Sequence, residues 1–206
     1  MLLAVFGVCA VADWWAVATA NRRLEYVFKP AALAALLAVS LALDPVYADR
    51  RTWFAIALAL SLMGDVFLML PHDLFVAGLG SFLLAHLAYV VGFTRHGGSF
   101  GAIAAAAVPV VVVAAVIGTR YVRALREKAE TELVVPVVAY VAVIAAMATT
   151  ALASGNWLAG AGAVLFMTSD ALIGYDRFVT PRAWAPLAII VTYHLGQLGL
   201  TLSLLR

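Results

Sequence analysis

Two aspartates lie inside long apolar runs: Asp65 in Ser-Leu-Met-Gly-Asp-Val-Phe-Leu-Met (61–69) and Asp170 in Phe-Met-Thr-Ser-Asp-Ala-Leu-Ile (166–173). A buried acid at the centre of a lipid-spanning helix costs about 2.5–3.5 kcal/mol on insertion scales, so something must offset it. Other polar groups recur at helical spacing. Ser61 and Asp65 are four apart, His86 and Tyr89 three, Tyr193 and Gln197 four, and each pair shares one side of its helix. Ser169 precedes Asp170, His194 follows Tyr193, and Lys29 stands just before Pro30. Two carboxyl groups in a low-dielectric pocket can divide the work of an acid and a base. Imidazole, phenol, hydroxyl and amide groups beside them can orient water or a leaving oxygen. The same residues can also pin helices together through hydrogen bonds, which is their structural alternative.

The elements that must position these groups are dictated by composition. The 206 residues are 66% hydrophobic and 12% charged, with a mean hydropathy of +1.04. A soluble domain is nearer one quarter charged, so the chain reads as an all-α polytopic membrane protein. With a formal net charge of +2, nucleic acid is not an expected partner. A single cysteine, Cys9, excludes an internal disulfide and a multi-thiolate metal site. No positive segment precedes the first apolar run, and Asp13-Trp14-Trp15 interrupts it, so a retained helix is expected rather than a cleaved leader.

A bilayer core takes about 20 apolar residues per helix. That ruler predicts eight transmembrane spans in one domain, 1–206: about 1–20, 27–43, 52–70, 74–94, 100–119, 133–152, 157–174 and 184–205. Turn-forming breaks separate them, among them Pro71-His72-Asp73 and Ser154-Gly155-Asn156. The run Arg120 to Glu132 is expected to prolong the fifth helix with its charges solvated. Similarity between helices 3 and 7, and between 4 and 8, suggests two parallel four-helix repeats that set Asp65 and Asp170 across the bundle at equal depth. Nine of the 13 Lys and Arg residues fall in the odd-numbered connections and four on the other side. This asymmetry predicts both termini extracytoplasmic and the acids in the cytoplasmic half. Lys29 is expected to open helix 2, with Pro30 in its first turn.

The residues then resemble a known family. Lys29-Pro30, Ser61-x-x-Gly64-Asp65-x-x-Leu68-Met69, Phe75-x-x-Gly78, Phe82-x-x-x-His86-x-x-Tyr89, Phe166-x-x-Ser169-Asp170, Phe178 and Tyr193-x-x-x-Gln197 together resemble the YhhN family of membrane proteins, which includes the lysoplasmalogenases. No single element is specific; their order and spacing across nearly the whole chain are. The resemblance implies a multi-pass enzyme, in a bacterial cell membrane, that hydrolyses the vinyl ether bond of lysoplasmenyl-ethanolamine or -choline. Its products would be a fatty aldehyde and a glycerophospho-alcohol. The expected partners are therefore a lysophospholipid substrate and membrane lipids, with no cofactor and no metal.

That reaction suits the residues. Protonation at carbon gives an oxocarbenium ion, which water captures before the hemiacetal collapses. Glycosidases meet a related cation with paired carboxylates. Asp65 and Asp170 are the expected catalytic pair. Lys29, Ser61, His86, Tyr89, Ser169, Tyr193, His194 and Gln197 are expected to bind or orient the substrate, with Lys29 meeting the lipid phosphate. Two alternatives stand beside this reading. One is a metal-dependent lipid hydrolase with Asp65, His86, Asp170 and His194 as ligands, although no compact metal motif is present. The other is a small-molecule or lipid transporter whose acids relay protons.

Overall fold

A computed structural model describes residues 1–70 and 74–206; the predicted break at Pro71-His72-Asp73 lies outside the described residues. Among the described residues the architecture is eight α-helices: α1 (Leu2–Ala18), α2 (Arg22–Ala42), α3 (Ala48–Met69), α4 (Phe75–Thr94), α5 (Phe100–Glu127), α6 (Val134–Ala153), α7 (Trp157–Gly174) and α8 (Ala185–Leu202). A π-helical turn, Tyr175–Val179, prolongs α7. Seven of the helices are long and apolar enough to cross a bilayer. The eighth, α1, has 17 residues, the lower edge of what spans a hydrocarbon core about 30 Å thick. The chain is an integral membrane protein.

Local chemistry sets the boundaries. Asn21, Ser99 and Asn156 each precede a helix and accept a hydrogen bond from a backbone N–H of its first turn, replacing a partner the turn lacks. The Asn21 cap, with an Arg22–Glu25 ion pair of 3.2 Å, starts α2 at Arg22, five residues before the predicted boundary. Lys29 and Pro30 therefore do not open the helix. Pro30 is interior, and Lys29 lies roughly 10 Å along the axis at 1.5 Å per residue. That depth is what brings its ammonium to the level of the buried acids. The charged run after Arg120 continues α5 to Glu127 as expected, so the helix is roughly 42 Å long and its last turns outrun the hydrocarbon.

Consecutive helices form the hairpins α1–α2, α3–α4, α5–α6 and α7–α8, and further seams join α2 to α3, α4 to α6, α6 to α7, and α8 to α1 and α2. Lipid is as apolar as leucine, so close approach and polar contacts drive helix association here, more than hydrophobic burial does. The α7–α8 seam shows this. A Cβ on Gly162 would lie 2.6 Å from the Leu200 backbone nitrogen, and one on Gly196 would lie 2.8 Å from the Phe166 nitrogen. The two backbones touch along this seam. The core beside it is built from Leu33, Leu36, Phe54, Tyr89, Phe93 and Phe166, all fully buried.

Candidate functional site

Asp65 and Asp170 each stand four residues before the end of their helix. Asp65 is 2% exposed. Its Oδ1 lies 3.5 Å from Lys29 Nζ on α2, and its Oδ2 accepts a 2.7 Å hydrogen bond from the Tyr193 hydroxyl on α8. An ammonium and a phenol thus serve both oxygens, so a charge on this carboxylate is compensated inside the bundle.

Asp170 keeps different company. Its Oδ2 accepts a 2.5 Å hydrogen bond from the Tyr140 hydroxyl on α6 and lies 3.5 Å from His86 Nε2 on α4. Backbone geometry defines the His86 tautomer. Nδ1 lies 2.5 Å from the Phe82 carbonyl oxygen, which can only accept, so Nδ1 carries the hydrogen in the neutral ring. Nε2 then presents a lone pair toward Asp170, and it is fully buried with no hydrogen-bond partner among the described residues. Buried polar atoms are usually satisfied, and an open one marks a site for water or a ligand group.

Aromatic rings pack against both acid sets. Phe166 lies 4.7 Å from His86 and 5.3 Å from Tyr193, centroid to centroid. Phe82 lies 5.8 Å from Tyr193. Asp65 and Asp170 are anchored by separate partners, and Phe166 packs against a member of each set. Asp170 opens onto a narrow apolar slot of about 50 Å³, whose walls include Leu68, Phe82, Ile144 and Met167 and whose polar margin is Asp170 with Tyr140 and Tyr121. Asp65 is not part of that wall.

The other predicted residues divide between these sets and the helix seams. Ser169 donates to the Ile189 carbonyl at 3.0 Å, clamping α7 to α8. Tyr89 donates to Gln197 Oε1 at 2.6 Å, tying α4 to α8, while Gln197 Nε2 and the Ser61 hydroxyl are buried without a partner among the described residues. His194 joins neither acid set. Its Nδ1 accepts a 3.0 Å hydrogen bond from Trp14 Nε1, and its Nε2 lies 4.0 Å from Asp13 Oδ2 on α1. The four ligands of the metal alternative are thereby split, and among the described residues no three His, Cys, Asp or Glu side chains are grouped to hold an ion. Tyr140 was missed in the sequence. Its one signal is that it is the only hydroxyl-bearing aromatic in the apolar run 134–148. Asp13 and His194 each stood out as polar groups in apolar runs, but their pairing through Trp14 carried no spacing signal, because it joins the first helix to the last.

Comparisons with known proteins agree with the residues. The model of the YhhN family matches residues 24–204. A Homo sapiens protein named lysoplasmalogenase TMEM86B is 36% identical over 150 residues, covering 73% of this chain and 62% of that protein. A Mycobacterium bovis protein named lysoplasmalogenase is 33% identical over 192 residues, covering 89% of this chain and 71% of that one. The chain thus spans just under two thirds of the human relative's length. No solved structure matches.

Proposed function

We propose, for a chain that belongs to the YhhN family, that it is a membrane-embedded hydrolase cleaving the vinyl ether bond of lysoplasmalogens to a fatty aldehyde and a glycerophospho-alcohol. The relatives' names support the reaction. The observation that carries the chemistry is the unequal pairing of the two acids: Asp65 has Lys29 at 3.5 Å, while Asp170 meets a phenol and an imidazole at the edge of an apolar slot.

This inequality divides the roles. A carboxylate beside an ammonium is held as an anion, whereas an anion at the slot margin would lack a fixed counter-charge. Asp170 is accordingly the proton donor and Asp65 the anion that stabilises the developing cation. The donor's proton passes to the alkenyl carbon distal to oxygen, and the adjacent carbon becomes an oxocarbenium. Water adds to that carbon as His86 Nε2 takes its proton, which gives a hemiacetal and an imidazolium. The imidazolium then protonates the leaving oxygen, the carbon–oxygen bond breaks, and the hemiacetal hydroxyl returns its proton to Asp170. Atoms and protons balance, and no redox partner is needed. Tyr140 positions the donor, and Tyr193 and Lys29 position the anion.

The orientation that fits the lysine and arginine asymmetry puts both termini outside the cytoplasm and the acids toward its side. Purified protein incubated with lysoplasmenyl-ethanolamine, lysoplasmenyl-choline and the saturated ether analogue tests the reaction. Aldehyde from the vinyl ethers alone is expected. Asp170→Asn and Asp65→Asn should each abolish most of it while remaining folded, and full activity in either variant overturns the division of roles.

A further inference from the structure

α5 is attached unevenly. It packs against α6 and the π-helical turn, and among the described residues it forms no comparable seam with α7. The gap is a cleft of about 550 Å³. Its α5 wall is Val113, Val116, Ile117 and Arg120, spaced i, i+3, i+4, i+7 along one face. Val164, Met167 and Ala171 face them from α7 at helical spacing, with Tyr175 of the π-helical turn continuing the row. The outer lining lies open to the surroundings: Val113 is 49% exposed, Val116 63% and Val164 47%.

This cleft and the slot beneath Asp170 share Ile117, Tyr121, Met167 and Ala171 as a common wall. The Tyr121 hydroxyl donates to the Ala171 carbonyl there, a direct link from α5 to α7 one residue from Asp170. Gly174 makes room for it, since a Cβ at that position would lie 2.6 Å from the Tyr121 ring. At the basic end of the cleft the Arg120 guanidinium sits over the Tyr175 ring, 5.0 Å from its centroid. The groove thus has one cationic end and an apolar length, the complement of an anionic head on a single hydrocarbon chain.

We propose that the α5/α7 cleft is the lateral entrance through which a single-chain phospholipid passes from the bilayer to Asp170, with Arg120 receiving its phosphate. The proposal deepens the hydrolase reading and rests on it for the identity of the lipid. A lipid standing in the cleft keeps the orientation it has in the leaflet: phosphate at the level of Arg120, chain along Val116 and Val113. The ether linkage, between head and chain, then falls at the level of Ala171. The shared wall of Ile117, Tyr121, Met167 and Ala171, closed by the Tyr121–Ala171 link, separates it from Asp170.

The test uses the full chain in lipid nanodiscs and a saturated-ether lysophosphatidylethanolamine bearing a diazirine in its chain, which cannot be cleaved. Photo-adducts mapped by mass spectrometry should fall within residues 109–121 and 164–175. Val116→Trp combined with Val164→Trp should reduce labelling there at least tenfold and cut aldehyde formation from the vinyl ether in parallel. Val112→Trp, on the same helix but off the cleft, should change neither. Arg120→Gln should weaken binding of the phospholipid about tenfold and leave the phosphate-free alkylglycerol unaffected. Adducts confined to other helices, unchanged labelling or turnover in the double tryptophan variant, or equal effects of Arg120→Gln on both lipids overturn the proposal. Cleft labelling without any aldehyde from the wild-type protein leaves the entrance standing and rejects the hydrolase reading.

Discussion

His86 and His194 are held as opposite tautomers. His86 gives its Nδ1 hydrogen to the Phe82 carbonyl, whereas His194 uses Nδ1 to accept from the Trp14 indole. In their neutral forms the first ring therefore offers a bare Nε2 to Asp170, and the second turns an N–H toward Asp13. Both are fully buried, yet only His86 faces an acid at the slot. One imidazole is set to take a proton, and the other ties the short first helix to the last.

The first prediction follows from that contrast. His86→Phe keeps the ring's bulk against Phe166 and removes the base, so kcat should fall about 100-fold or more, the usual loss for a positioned general base. KM should stay near the wild-type value. The same exchange at His194 should lower thermal stability and leave kcat within a few-fold. Steady-state kinetics and thermal unfolding in detergent check both arms.

Tyr140→Phe deletes one hydroxyl and the 2.5 Å hydrogen bond to Asp170. Loss of a hydrogen bond to a neutral carboxyl group is worth about 0.5–1.5 kcal/mol, so kcat should fall roughly 2- to 10-fold with KM unchanged. A positioning role also requires the pH–rate profile to shift, which loss of packing alone would not cause. An unshifted profile would reduce Tyr140 to a packing residue.

Lys29→Met should strand the Asp65 charge. Breaking a buried pair from one side costs about 3–5 kcal/mol, because the remaining charge loses its compensation. Adding Asp65→Asn should restore much of that stability without restoring activity. Thermal unfolding of the two single variants and the double variant gives the coupling directly, and additive losses would show that the 3.5 Å contact contributes nothing.

Gly162→Ala tests the α7–α8 seam. The added methyl would sit 2.6 Å from the Leu200 nitrogen, and backbone cannot yield as a side chain can. Overpacking typically costs about 1–3 kcal/mol, which should outweigh the gain in helix propensity and lower the unfolding midpoint. Gly80→Ala, with open space around its Cβ position, is the neutral control.

Much of the fold was legible because the bilayer allows few solutions. Apolar length located the helices, and the cost of a buried acid made Asp65 and Asp170 conspicuous. Burial and spacing could not say who partners whom. Two acids at matching depth pointed to a shared site, but only the structure shows that each has its own phenol, Tyr193 on Asp65 and Tyr140 on Asp170. Tyr140 escaped notice because a tyrosine in an apolar helix reads as core, and its hydroxyl acquires meaning only through an acid on the neighbouring helix. Lys29 looked interfacial because Pro30 resembled a helix start. The Asn21 cap moved that start outward and carried the ammonium inward. The α5/α7 cleft had no trace in the sequence, since a gap between helices is a property of tertiary packing.

The backbone contact between Gly162 on α7 and the Gly196–Leu200 stretch of α8 has a mechanical consequence. Asp170 and Tyr193 ride on one rigid plate, so a displacement of α5 large enough to admit a lipid leaves their spacing alone. Bilayer thickness and lateral pressure, which act on the outermost helix, should therefore set how often substrate arrives. They should not alter the barrier to protonating it.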